Sequence, residues 1–544
     1  MLLPKGKELG PVLDVLIRNA MVVDGTGSPW TRGDVAVEGR TIVAVGHLPG
    51  AQAARVIDAT TLALGPGFID CHSHSDRVAL QNPYCESTLL QGVTTEVVGN
   101  CGSSPAPARL DGGRPTADGG RDLGRPPSAV NRPLYSFADY LADVERTGLS
   151  ANYAFLVGHG AIRRTVMGVD ERPPTPDEQR AMERLLDESL EAGAFGLSTG
   201  LEFVPGRAAQ LAELMALNGA LARYDRIHAT HQRNRNEGFE ASVAEAIAHS
   251  EPAGVRLQIA HNNARYGAPA GAWERVMEQI AAARRRGLDV SCDTTTYTRG
   301  GGGMSAVLPP WLFDQGPAEA ARRLADPAIR ARVKGDCRRY WLRVADGKWN
   351  ELWLGRTQHS QEYFGKTFLE IGELTGRSPM DAFLDVLMNE GEHLTSAGMF
   401  GVVKDEAHLR QMLAHPLYAA EADARSAPLS GPLYESVNHP ASFGWTAYIL
   451  GTCARQKGWL TLEQAVHKFT GLPAAKYRLH DRGLIRPGMA ADLVVFDPAT
   501  VRDNATFEEP RRSPDGIHYV FVNGTLTVDH GRHTKALAGG VVRP

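Results

Sequence analysis

The chain has 544 residues, a formal net charge of −4 and 43% hydrophobic residues. It can bury a large core, which excludes general disorder. A sequence pI of about 6.5 gives no global field for nucleic acid or anionic membrane, and no apolar run approaches the roughly 18–20 residues of a membrane span.

Taken in chain order, the N-terminus, MLLPKGKELGPVLDV, has no apolar stretch long enough for a signal peptide. The six cysteines include no CxxC pair, and together these features predict a cytoplasmic protein with reduced thiols. Residues 12–58 alternate β-rich pieces with turn signals, as in DVLIRNAMVVDG and GDVAVEGRTIVAVG, and read as antiparallel hairpins. The pattern then changes. GPGFIDCH, TTEVVGNC, YAFLVGHG, AFGLSTGL, RIHATHQ, RLQIAHNN, DVSCDTTTY and LYAAEAD are strand-like. Amphipathic helical patterns such as TPDEQRAMERLLDESLEAG and GFEASVAEAIAHSE lie between several of them. This alternation predicts an α/β fold with a parallel sheet, and eight strands suit a (β/α)8 barrel over residues 65–482. A doubly wound open sheet is the alternative, but no Gly-rich dinucleotide fingerprint follows the first strand.

Residues 102–134 are rich in Gly, Pro, Arg and Asp without periodicity. They read either as a lid over the barrel mouth or as a surface insertion. Residues 316–376 carry helical patterns and many charges and read as an excursion outside the barrel, and SAGMFGVV is a ninth strand-like piece without a place. The chain closes with ADLVVFDP and GIHYVFVNGTLTVDHG, where Asn523-Gly524 between two apolar runs signals a hairpin. Two β-rich ends around a different middle predict one small β-sandwich domain built from residues 1–64 and 483–544.

In a strand, residues i and i+2 point the same way. His72 and His74 of PGFIDCHSHSD therefore project together at the C-terminal mouth of a barrel, as a metal half-site or as a pair of turn histidines. Metal-ligand residue types recur where other strands end: Cys101 in EVVGNC, His159 in FLVGH, His231 in IHATH, His261 in LQIAH, Asp293 in VSCD and Asp423 in AAEAD. Any one of them has a plain structural explanation. Their recurrence at the same end of successive strands predicts an active site.

With these residues the chain resembles the amidohydrolase superfamily, and within it the N-acyl-D-amino-acid deacylase (D-aminoacylase) branch. The carriers are GFIDCHSH, VVGNCG, GHGAIR, GAFGLSTGLEFVPG, THQRN, QIAHNN, LPPW and FTGLPAAKYRLHDRGLIRPGMAADLVVFDP. The resemblance implies one or two zinc ions per chain. His72 and His74 match the ligands of one metal, and Cys101, His231 and His261 those of the other. Asp423 matches the aspartate that is both ligand and proton-carrying catalytic residue, with Asp293 and Glu421 as lesser candidates. The fourth strand offers no Lys, and Glu202 is a candidate carboxylate there. His159 falls near the site.

Where the branch carries a substrate-facing Lys, Tyr and Arg, this chain has Asn263, Thr295-Thr296-Tyr297 and Ala441. Arg299 and Tyr297, with Arg265 or Arg233 as further cations, are then the candidates to hold a substrate carboxylate. The implied activity is zinc-dependent cleavage of N-acyl amino acids, D-configured preferred, or of related carboxylate-bearing amides. The implied partner is a small-molecule amide, with neither nucleic acid nor membrane, and a homo-oligomer stays open. Cyclic-amide, ester or lactone hydrolysis on the same kind of site is the alternative, and a metal-free scaffold protein is a remote one.

Overall fold

The computed structural model describes residues 12–111, 114–115, 134–337 and 341–544. Most of the 102–134 loop, and with it the lid reading, lies outside them.

Local signals fix the helices between the strands. In Pro176–Glu191 the Thr175 side chain accepts from the Glu178 N–H while the Glu178 carboxylate reaches back to the Thr175 N–H, and proline occupies the first turn. That capping box sets the start of the helix. Its Met182, Leu186 and Leu190 are buried, one apolar stripe at a spacing of four.

Eight strands pair in parallel: Phe68–Asp70, Val93–Val98, Asn152–Gly158, Gly196–Gly200, Ile227–His231, Leu257–Ile259, Val290–Thr295 and Tyr418–Glu421. They are buried almost throughout, which explains their near-continuous apolar runs. The ring closes between its first and last strands through a bridge from Ser73 to Ala424. There the His74 N–H donates to the Ala424 carbonyl (2.8 Å) and the Asp423 N–H to the His72 carbonyl (3.1 Å). The fold is thus the expected (β/α)8 barrel.

The terminal β domain is a nine-stranded mixed sheet. Its two ends join where Leu493–Phe496 pairs antiparallel with Ala63–Pro66. Val15, Ile17, Val35, Val37, Leu493, Val495 and Phe521 pack on one another as its core. Asn523 and Gly524 have φ of 48° and 79°, the left-handed pair that a tight hairpin turn requires. The last strand leaves this sheet: Gly540–Val542 runs parallel to Asn152–Gly158 of the barrel.

Between the seventh and eighth barrel strands an insertion builds its own buried core, with Leu308, Trp341, Leu354, Phe368, Phe383 and Met399 among its members. The unplaced SAGMFGVV supplies Gly398–Val402, the middle strand of a three-stranded antiparallel sheet between Arg299–Gly303 and Leu352–Arg356. The excursion therefore reaches beyond residues 316–376 on both sides.

Candidate metal centre

The donors gather just past the strand ends. Cys101 follows Val93–Val98 in a left-handed backbone conformation (φ 54°), and Gly102 continues it at φ 72°. A Cβ at Gly102 would lie 2.5 Å from the Gly200 nitrogen, so only glycine lets this turn press against the fourth strand. His261 (φ 34°) and Asp423 (φ 48°) are also left-handed. Three of the six sequence-derived donors thus sit in backbone that ordinary residues avoid.

Cys101 is the shared corner of two donor groups. One contains His72, His74, Cys101 and Asp423, and the other Cys101, His231 and His261. The Cys101 Sγ lies 3.2 Å from His72 Nε2, 3.4 Å from His231 Nδ1 and 3.6 Å from His261 Nε2. Asp423 Oδ1 lies 3.2 Å from His74 Nε2 and 3.6 Å from His72 Nε2. Tetrahedral zinc with Zn–N near 2.05 Å and Zn–S near 2.3 Å needs neighbouring donors about 3.3–3.6 Å apart. The thiol–imidazole separations match that spacing, so this donor set fits zinc.

Electrostatics prepare the same atoms. Burial opposes ionisation of Cys101, but the His72 and His231 imidazoles override it and hold the thiol well below its usual range, which favours the ligating thiolate. Desolvation by its neighbours also opposes ionisation of Asp423, although a third of its side chain is exposed, yet the hydrogen bond from His74 and the charge of His72 keep it well below the usual carboxylate range. Burial and then the Arg235 guanidinium push His261 well below the ordinary imidazole range.

The surrounding residues orient the donors. Glu202 Oε2 lies 2.7 Å from His231 Nε2, which leaves Nδ1 facing Cys101. Burial opposes the charge of Glu202, but Arg265 and His231 hold its carboxyl down to about 2. The Asp293 carboxylate accepts from the His261 backbone N–H and from Gln258 Nε2, and thereby fixes the turn that carries His261. Arg235 Nη1 donates to His261 Nδ1 at 2.8 Å. A guanidinium can only donate, so the neutral ring carries its proton on Nε2, toward Cys101. A ligating imidazole is neutral and carries its proton on the other nitrogen, so ligation through Nε2 would place the proton on Nδ1 and leave Arg235 to the His261 carbonyl, which its Nη1 already reaches at 3.1 Å.

Several sequence candidates stand elsewhere. Tyr297 does not face the cavity: its hydroxyl donates to Asp503 Oδ2 (2.7 Å) and its ring packs on Tyr448 and His439. His159 lies behind the site, buried, with Nε2 2.7 Å from Glu213 Oε1. Asn263 is turned to the insertion, where it donates to the Val403 carbonyl. Arg233 is paired with Glu245. Glu421 is fully buried beside the donors, and neither carboxylate oxygen has a hydrogen-bond partner among the described residues.

Arg299 does face the cavity, with its guanidinium 3.8 Å from the Trp353 ring centre and 4.9 Å from that of Phe507. Two cations were missed in the sequence. Arg235 stands four residues after His231, beside the quoted THQRN. Lys404 comes from the insertion, is buried, and donates to Thr295 Oγ1. Burial pulls its ammonium down to about 7. Nothing in the local sequence signals its approach.

The donors open onto a cavity of about 560 Å³. Besides Arg235, its lining includes Arg77, Arg164, Arg265, Arg299, Arg356 and Arg425, and its carboxylate among the described residues is Asp423. The space suits a small anionic molecule held against a metal.

Comparison with known proteins agrees with this geometry. The pattern of the amidohydrolase family matches residues 55–304 and 338–528. An N-acyl-D-glutamate deacylase of Alcaligenes xylosoxydans xylosoxydans is 34% identical, over 94% of this chain and 93% of its own. An N-acyl-D-aspartate deacylase of the same organism is 34% identical, over 98% and 95%. The crystal structure of N-acyl-D-glutamate deacylase from Bordetella bronchiseptica, complexed with zinc and a phosphonate mimic of the tetrahedral intermediate, superposes with a TM-score of 0.78 at 30% identity. That superposition covers 98% of this chain and 100% of the other.

Proposed function

The chain belongs to the amidohydrolase family, in which it groups with N-acyl-D-amino-acid deacylases, and from that premise we propose that it is a zinc-dependent hydrolase of N-acyl-D-amino acids with an acidic side chain. The observation that carries the reading is a cavity arginine left over for substrate. Arg235 and Arg265 answer Glu202, whereas Arg299 lines the same cavity without a carboxylate of its own among the described residues. A substrate with one carboxylate needs one such partner, and an acyl-glutamate or acyl-aspartate brings two. Arg299 is the best placed to take one of them. Its guanidinium is stacked on Trp353, and among the described residues no carboxylate pairs with it, so its planar fork is preorganised for two parallel hydrogen bonds.

In this reading Cys101, His231 and His261 hold zinc, and His72, His74 and Asp423 complete the site. Zinc held there would polarise the scissile carbonyl and lower the pKa of a bound water toward about 7. Asp423 takes a proton from the attacking water and returns it to the leaving nitrogen. Its Oδ1 stands beside His74 and His72, which keeps it ionised and ready to accept. Glu202 and Arg265 hold His231 in place, and Arg235 supports His261.

The test is a panel of N-acetyl-D- and N-acetyl-L-amino acids with acidic, aliphatic and aromatic side chains, run on zinc-loaded protein. Acidic D-substrates should lead. Good hydrolysis of cyclic amides or esters, with no N-acyl amino acid cleaved, would overturn the substrate assignment.

A further inference from the structure

Four consecutive glycines, Gly300–Gly303, lie in a strand that borders the cavity. Glycine weakens strands, because it costs backbone entropy and packs nothing, so each needs a reason. Two have one in the scaffold. A Cβ at Gly300 would lie 2.9 Å from Val403 Cγ1, and one at Gly302 2.7 Å from the Trp341 ring. The other two do not. A Cβ at Gly301 would meet Phe400 at 3.4 Å, and one at Gly303 would find nothing nearer than Ser305 Oγ at 3.9 Å. A strand glycine that packing does not demand marks a place where another backbone comes close.

Arg299–Gly303 is an edge strand, paired on one side only, with Gly398–Val402. The Val403 N–H donates to the Thr298 carbonyl and the Met304 N–H to the Ala397 carbonyl. In an antiparallel ladder the bonded residues alternate, so Gly300 and Gly302 face the partner strand while Arg299, Gly301 and Gly303 face away. The Arg299 carbonyl accepts from His439 Nε2 at 3.1 Å. Among the described residues, the N–H and C=O of Gly301 and the N–H of Gly303 have no partner. Lined up beside the donor cluster are thus peptide groups about 6.8 Å apart, left open by residues without side chains.

We infer that this edge is a docking rail for an extended peptide, so that the acyl group of the preferred substrate is itself peptidyl. The inference rests on the amide-hydrolase reading above and names the acyl class that reading leaves open. An acetyl or fatty acyl group offers only the scissile carbonyl and cannot answer two outward residues of a strand. A peptidyl group offers C=O and N–H at the same repeat and adds as one more strand, as extended peptides do on exposed sheet edges. The cavity, at about 560 Å³, has room for such a chain. Water would deliver its hydroxyl to the last peptidyl carbonyl carbon and its remaining proton to the leaving nitrogen as the C–N bond breaks. The products are a shortened peptide acid and a free acidic D-amino acid.

The experiment compares kcat/KM of the zinc-loaded enzyme for N-acetyl-D-glutamate, for acetyl-Gly-Gly-D-Glu, and for the same tripeptide with N-methylglycine in the middle. The plain tripeptide should exceed N-acetyl-D-glutamate by about tenfold, and N-methylation, which deletes one donor, should remove about fivefold, as one or two good hydrogen bonds allow. On the protein side Gly303→Pro deletes the outward N–H at a φ of −71° that proline accepts. It should cut the ratio of tripeptide to acetyl turnover by about fivefold. Should that variant misfold, the N-methyl comparison on the unaltered enzyme still decides. N-acetyl-D-glutamate cleaved as well as the tripeptide, or no loss on N-methylation, overturns the rail and leaves the amide-hydrolase reading intact. If neither compound is cleaved, both fall together.

Discussion

The barrel rim and the insertion approach the same cavity in opposite ways. On the rim, His72, Cys101, His261 and Asp423 stand two or three residues past the strands that end at Asp70, Val98, Ile259 and Glu421, and His231 is itself the last residue of its strand. The insertion contributes none of the clustered donors among the described residues. It contributes instead Arg299, the glycine edge, Arg356 and Phe400 to the lining, with Lys404 just behind. A metal needs donors at fixed separations, and a closed parallel sheet supplies them by geometry. A substrate needs shape and charge, and a chain excursion can supply those without disturbing the sheet.

That division can be broken in four places. The largest effect should come from taking the barrel's support away. Deleting residues 484–544 removes the partner of Ala63–Pro66 and the strand beside Asn152–Gly158. Insoluble or unfolded protein is expected, and a soluble, active truncation would show that the barrel stands without the terminal sheet. Next comes the shared corner. Cys101→Ala should strip most of the zinc, seen by elemental analysis, and lower kcat/KM by roughly 1,000-fold or more, as loss of the metal's activation of water demands. Full zinc retention would make Cys101 a core residue.

Asp423→Asn keeps a side chain that tolerates the left-handed backbone, so it tests chemistry rather than folding. We expect kcat to fall by about 100-fold or more with zinc retained at Cys101, His231 and His261. A near-normal kcat would move the proton carrier to Glu421 or Asp293. The smallest effect belongs to the insertion. Arg299→Ala should raise KM for acidic substrates about tenfold while leaving zinc content and kcat nearly unchanged, the signature of lost uniform binding. Equal losses for charged and uncharged amides would show that Arg299 props the fold through Trp353.

The sequence marked the donor positions of the rim one by one, whereas it marked the insertion as an excursion without its bounds or its partners. A strand announces its end through an apolar run that stops, and a donor at that stop is visible one strand at a time. The terminal sheet was readable for a similar reason, since Asn523-Gly524 names its own turn. Tyr297 failed as a candidate because its neighbours come from far along the chain: Asp503 takes its hydroxyl and Tyr448 its ring. Asn263 and Lys404 show the same limit. The position after the sixth strand that should carry a cation holds an amide facing Val403, and the cation arrives from the next residue of the insertion. Local pattern does not encode which distant segment fills a gap. SAGMFGVV was recognisable as a strand, but its partners, Arg299–Gly303 and Leu352–Arg356, lie too far away in the chain for periodicity to assign.

A hoop is only as stiff as its clasp. The barrel fastens at a narrow join, the Ser73–Ala424 bridge with its two backbone hydrogen bonds, between the His72–His74 turn and the Asp423–Ala424 turn. The proposed ligands sit on both flaps of that clasp, so an ion gripped between them works as a rivet, and by mass action it weighs against every opening of the ring. Metal supply and durability then become one property. A cell short of zinc would lose this protein's activity and part of its ring's stability together.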